Sequence, residues 1–236
     1  MKPIWFVYHV PKTGGQSIRD HLASELTHEV DYLHLGKWDR PEPLTIDDLA
    51  AMSDAERAEL RAISGHPVER PMAQFFPGRP LREVVILREP AARLVSLYNF
   101  NMTMWAQRGK AVIGFEEFLD TLPPNQMTAK LTGCFGFERL RFRLDDLLYE
   151  LSQLWLVGRT ENLDALLPLL FAGMEVSTEL AGRSNVTGVH IEKRLELTPD
   201  LAADLRARNP TDVKLYAAVE RLERACIARL RGAGPP

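Results

Sequence analysis

The chain has little cysteine: Cys134 and Cys226 are the only two among 236 residues. They are too few and too far apart for a disulfide framework, which fits a reducing compartment. It lacks a strong charge of either sign. A net charge of -3 argues against a general nucleic-acid binder, because such proteins carry a strongly basic balance. No apolar run reaches the roughly 18 residues that a membrane-spanning helix needs. The first residues hold one lysine and a short apolar stretch that leads straight into a glycine-containing loop. They read as a buried strand rather than a cleaved leader. Internal repeats and low-complexity linkers are also missing, and the proline-rich "KWDRPEPLT" (37–45) is too short to separate domains. The expectation is one cytoplasmic domain over residues 1–236 with no transmembrane anchor and no nucleic-acid partner.

The familiar phosphate-loop order is absent too. That loop reads G-x-x-x-x-G-K-[ST], with the lysine after the glycines. In "YHVPKTGGQSI" (8–18), Lys12 and Thr13 instead precede Gly14 and Gly15. The surroundings still suit an anion. "IWFVYHV" (4–10) is a continuous apolar run of the kind buried on both faces of a parallel sheet, and Ile18, Leu22 and Leu26 follow at helical spacing. In a strand–turn–helix unit the first helical N–H groups lack intrahelical acceptors and point at the turn. Thr13 and Ser17 add hydroxyls, and Lys12 adds a full charge. The bland alternative is a tight turn beside a surface lysine.

Further along, "REVVILREP" (82–90) reads as a second core strand, and Pro90 suits the first turn of the helix expected over 91–108. A strand is expected at 29–35, a helix over 45–63, a helix over 142–153, a strand at 154–159 and a helix over 162–174. A long amphipathic helix is expected from Pro210 to Arg231, with a frayed GAGPP end. Strands alternating with helices predict an α/β fold with a central, mainly parallel sheet flanked by helices.

Arg88, at the carboxyl end of the second core strand, faces the crevice where such sheets bind ligands. Its planar fork suits a phosphate, and Ser96 sits in the helix that follows. The competing reading is a strand-end salt bridge from Arg88 to Glu89 or Asp20.

Together, PKTGGQS and LREPAARLVSLY resemble the two nucleotide-binding signatures of sulfotransferases that use 3′-phosphoadenosine 5′-phosphosulfate (PAPS). The likeness is to the branch containing the carbohydrate (heparan sulfate 2-O-type) sulfotransferases. "ISGHP", "NQMTAKLTG", "WLVGRTENLDALLPLL" and "LTPDLAADLRARNPTDVKLYAAV" resemble further segments of that branch, in the same order. The resemblance implies a single sulfotransferase domain with a P-loop-like strand–loop–helix for the 5′-phosphosulfate. It implies sulfuryl transfer from PAPS, with 3′-phosphoadenosine 5′-phosphate (PAP) as product, to an acceptor hydroxyl, and no obligatory metal. The acceptor expected is a saccharide or glycolipid, with a small-molecule metabolite as the alternative. Lys12, Thr13, Gly14, Gly15, Gln16 and Ser17 would cradle the 5′-phosphate, with Lys12 stabilising the leaving oxygen. Arg88 and Ser96 would hold the 3′-phosphate. Lys193 and Arg194 resemble a late basic loop over that phosphate, or form a solvated turn. Glu161 lines the site in the family, or favours a helix start.

An acceptor hydroxyl needs a base, and histidine titrates in the right range. Of the six histidines, His66 is preferred: it follows "AIS", which reads as a strand end, between Gly65 and Pro67 at the crevice rim, and above all it matches the family's catalytic segment. His9 is second, and His21 and His28 read as helix-surface residues. Arg139, Arg141 and Arg143 either greet an acidic acceptor or form a polar strand face. Trp105, Phe115, Met102 and Met104 read as core, and the sequon at Asn185 carries no weight. The rivals are a P-loop nucleotide kinase, for which the lysine order and a magnesium carboxylate are missing, and a non-catalytic nucleotide-binding relative.

Overall fold

A computed structural model describes residues 1–36, 42–137, 143–179 and 194–232. At its centre is a five-stranded sheet in the order β2-β3-β1-β4-β5. Its strands are β1 (Ile4–Tyr8), β2 (Tyr32–Leu35), β3 (Ala62–Gly65), β4 (Leu81–Leu87) and β5 (Leu156–Arg159), and every pairing is parallel. The α/β class and the flanking helices expected from the sequence are present. The helices that matter below are α1 (Gly15–Glu25), α2 (Ile46–Ala51), α3 (Asp54–Glu59), α4 (Pro90–Gln107), α5 (Phe115–Asp120), α6 (Gln126–Cys134), α7 (Leu144–Gln153), α8 (Leu163–Gly173), α9 (Pro199–Arg208) and α10 (Pro210–Gly232).

Side-chain alternation explains why β1 is apolar throughout. Ile4, Phe6 and Tyr8 join one core with Leu33, Ile63, Val85 and residues of α6 and α7. Trp5 and Val7 join the other, with Ile18 and Leu22 of α1 and Leu166 and Leu170 of α8. A strand buried on both faces has no polar side to show. A third cluster packs Leu94 and Val95 of α4 against Leu119 of α5 and Leu205 of α9.

The expected helix over 45–63 is corrected to two short helices followed by β3. Thr45 and Ser53 each form a capping box, with Asp48 and Glu56 respectively. Two helix starts eight residues apart leave no room for one continuous helix. The strand expected at 29–35 shrinks to Tyr32–Leu35, because Glu29 takes a positive φ of 65°. His21 is not a surface residue: it is buried, with its ring tilted against Phe171 at 3.9 Å. His28 lies outside α1, and its Nε2 accepts the His34 N–H at 3.3 Å. Met102 is core as expected, whereas Met104, Trp105 and Phe115 are half-buried. No helix of the described residues is long and apolar enough to cross a membrane.

After β1 the chain crosses to β2 on one side of the sheet, and after β4 it crosses to β5 on the other. The carboxyl ends of β1 and β4 therefore flank a switch point, where open α/β sheets form a crevice. Lys12 and Arg88 stand at these two strand ends.

Candidate functional site

A cleft of about 480 Å³ opens at that switch point. One wall is the turn after β1. Lys12 has a φ of 68° and Gly14 a φ of 91°, with Thr13 on negative φ between them. Such alternation of backbone hand turns successive N–H groups toward one concavity, the geometry of an anion nest. Lys12 adopts the left-handed region without glycine's freedom, a conformation that is uncommon outside functional turns. Gly15 opens α1, which has no side-chain cap and no acidic residue in its first turn, so its positive end is uncompensated. A side chain at position 15 would drive a Cβ to 2.2 Å from the His9 ring. Glycine there lets His9 and the loop share the space.

Lys12, Arg88 and Arg194 all line the cleft, with Ser96 from α4 beside them. Among the described residues no carboxylate pairs with any of the three. The Lys12 ammonium instead sits 4.2 Å above the Phe100 ring, a cation–π contact. Burial lowers the Lys12 pKa, and the charges of Arg88 and Arg194 lower it further. Cations held this closely repel one another, and an entering anion relieves the repulsion.

The remaining loop residues divide by role. Gln16 lines the cleft with Gly14 and Gly15. Thr13 is buried and its hydroxyl donates to the Val10 carbonyl at 2.9 Å, so its proton is committed inside the loop. Ser17 lies one residue beyond the cleft wall, and its N–H donates to the Gly14 carbonyl at 3.1 Å. Lys193, Arg139 and Arg141 lie outside the described residues. Arg143 is exposed at the start of α7, 3.8 Å from Asp145 and away from the cleft.

Glu161 does not line the cleft; it braces the turn that carries Arg88. Its Oε1 accepts the Glu89 N–H at 3.2 Å and its Oε2 accepts the Tyr216 hydroxyl at 2.7 Å. The Glu89 carboxylate caps α4 through the Ala92 N–H at 2.7 Å and receives Arg206 Nε at 2.8 Å. The charge nearest Arg88 in sequence is thus consumed by α4 and α9.

The cleft is also lined by His9 and His66. Gly65 ends β3 with a φ of 133°, and a Cβ there would lie 2.0 Å from the Leu35 carbonyl oxygen. Only glycine lets β3 close this tightly on β2 before His66 turns into the cleft. His66 is exposed on its open side and stacks on His9 at 4.2 Å between ring centroids. Its Nδ1 lies 3.0 Å from the His9 carbonyl oxygen. A carbonyl can only accept, so Nδ1 carries the proton and Nε2 of the neutral ring has a free lone pair. Enclosure by the cleft wall lowers the His66 pKa, the His9 carbonyl opposes this, and the charge of Lys130 adds to the lowering. The ring is therefore poised as a base at neutral pH. Burial, followed by the neighbouring His66, drops His9 to about 3. Burial and Arg19 drop His34 to about 4, and His34 Nδ1 lies 2.8 Å from the Ser64 hydroxyl.

Arg19, Phe100 and Thr160 also line the cleft and were not singled out from the sequence. Arg19 follows Gly15 by four residues and Phe100 follows Ser96 by four, a spacing that marks one helix face. Thr160 gave no such signal. Its hydroxyl is within 3.0 Å of the Thr13 carbonyl and 3.1 Å of the Leu87 carbonyl, tying the two strand ends together. The described residues contain no group of three or more His, Cys, Asp or Glu side chains placed to hold a metal ion.

No protein-family model matches the chain, and no curated protein matches it.

Proposed function

We propose that this protein is a PAPS-dependent sulfotransferase, with a single catalytic domain and a cleft that seats the nucleotide between the carboxyl ends of β1 and β4. One observation carries the reading: a left-handed lysine–glycine turn at an uncapped helix start converges with Arg88, Ser96 and Arg194 in one cleft that also contains His66. Three cations converging on one cleft suit a ligand that carries more than one phosphate, as a ribose phosphorylated at two positions does. The uncapped N–H groups of α1 and Lys12 face the 5′-phosphosulfate, and Arg88 with Ser96 and Arg194 faces the 3′-phosphate.

The bound nucleotide supplies an activated sulfuryl group. His66 Nε2 accepts the proton of the acceptor hydroxyl as that oxygen bonds to sulfur. His66 Nδ1–H stays on the His9 carbonyl, which fixes the ring and favours the imidazolium. Lys12 meets the charge that grows on the 5′-phosphate oxygen as its bond to sulfur breaks. Its resting contact with Phe100 is weak enough to give up for a full anion. The acceptor we propose is a saccharide or glycolipid hydroxyl.

The test is incubation with PAPS and a panel of hydroxylated acceptors, followed by mass spectrometry for sulfated product and PAP. The His66→Ala protein should bind PAP like the wild type and lose turnover by about 10²–10⁴-fold. Wild-type turnover in a folded His66→Ala protein would remove His66 as the base.

A further inference from the structure

Among the cations of the cleft, Arg88 and Lys12 follow core strands, but Arg194 is exposed and precedes a stretch of irregular chain. Something must hold it over the cleft. Asn99, buried in α4 at 4 % exposure, donates from Nδ2 to the Leu195 carbonyl at 2.9 Å. The Leu195 N–H in turn donates to Asn99 Oδ1 at 2.9 Å. Only one orientation of the amide satisfies both bonds, so its two ends are fixed by the network. The side chain thus takes the place of a strand neighbour and satisfies both backbone groups of Leu195. The Leu195 side chain packs onto the cluster of Leu94, Val95 and Leu205. Asn99 lies three residues beyond Ser96, so one helix delivers both the cleft-facing hydroxyl and the amide that pins the neighbour of Arg194.

We propose that Asn99 is a positioning residue that pre-orders Arg194 at the 3′-phosphate end of the cleft. The proposal rests on the nucleotide reading above. An arginine on loose chain loses backbone and side-chain freedom when it grips a phosphate. Fixing the next residue in advance removes part of that cost from binding. Asparagine is required because the task needs a donor and an acceptor at one reach. Aspartate offers two acceptors and sets one of them against the Leu195 carbonyl.

Two readouts test this. The first is calorimetry with PAP and with AMP on the wild type, Arg194→Ala, Asn99→Ala, the isosteric Asn99→Asp and the Asn99→Asp/Arg194→Ala double variant. Arg194→Ala should weaken PAP roughly 10- to 100-fold, the worth of a charge-assisted hydrogen bond. Asn99→Asp should weaken PAP in the same direction, and the double variant should bind no worse than Arg194→Ala alone. AMP affinity should not change in the two Asn99 single variants. Additive losses, or wild-type PAP affinity in a folded Asn99 variant, would overturn the proposal. The second readout needs no nucleotide: limited trypsin digestion, with cleavage after Arg194 identified by fragment mass. The pinned Leu195 backbone should protect that bond in the wild type, and Asn99→Asp should expose it. Unchanged cleavage would overturn the tie itself. A wild type that prefers PAP no more than AMP would instead contradict the cofactor reading, with the trypsin result still deciding the role of Asn99.

Discussion

Two arginines stand side by side at the carboxyl edge of the sheet, and their surroundings are opposite. Leu87, which precedes Arg88, pairs in register with Arg159. Arg159 is saturated. Its Nη2 lies 3.0 Å from Glu223 Oε1, its backbone N–H donates to Glu223 Oε2 at 2.6 Å, and Glu220 lies 3.5 Å away. Arg88 lines the cleft with no carboxylate partner among the described residues, because Glu89 is turned away to Ala92 and Arg206. From sequence, a strand-end salt bridge was the competing reading for Arg88. That arrangement exists in this fold, but at Arg159. The difference teaches how to separate a structural arginine from a binding one: the first has its counter-charge built in, and the second has its nearest carboxylate occupied elsewhere.

The comparison predicts opposite phenotypes. Arg159→Ala should give the larger effect, a stability loss of up to about 3–5 kcal/mol in chemical denaturation. It takes the guanidinium from the buried Glu223 carboxylate and leaves it the neutral donors at the residue 159 N–H and Asn162 Nδ2. Glu223 is 1 % exposed. Arg159→Ala with unchanged stability would break the comparison. Arg88→Ala should leave stability near the wild-type value and weaken PAP binding by roughly 2–5 kcal/mol in calorimetry. If Arg88→Ala destabilises as Arg159→Ala does, the two arginines share one role and the contrast fails.

A smaller effect concerns the buried histidines His9 and His34. His9 and His34 fall from the ordinary 6.5 to about 3 and about 4 in the fold, chiefly through burial. The unfolded chain therefore takes up protons first on acidification. The stability that these rings confer is complete above pH 6.5 and is lost as the pH falls toward about 4 and about 3. Each ring can contribute at most about 1.4 kcal/mol per pH unit in that window. Urea midpoints measured from pH 7 down to 5 should decline, and more gently in His34→Asn than in the wild type. A parallel decline in both would show that His34 is not depressed.

Legibility followed the same physics. β1 and β4 were readable because burial on both faces leaves an unbroken apolar run. β3 was half readable: "AIS" before Gly65 reads as a strand end, yet four residues adjoining two capped helical turns also look like one more turn of the helix expected over 45–63. The loop around Lys12, together with Arg88, Ser96 and His66, was readable because each lies in a local motif. Asn99, Thr160 and the bracing role of Glu161 were not. Their partners lie 96, 73 and 72 residues away respectively, and no local spacing encodes a contact between segments so far apart.

The most direct test of the central claim is calorimetric titration of the wild-type protein with PAP and, separately, with AMP, which differ only in the 3′-phosphate. The cluster of Arg88 and Arg194, which no carboxylate pairs among the described residues, predicts PAP binding tighter by at least about tenfold, or about 1.4 kcal/mol, and a selectivity that shrinks in Arg88→Ala but persists in any Arg159→Ala protein that folds. Equal affinities for the two nucleotides would contradict the account.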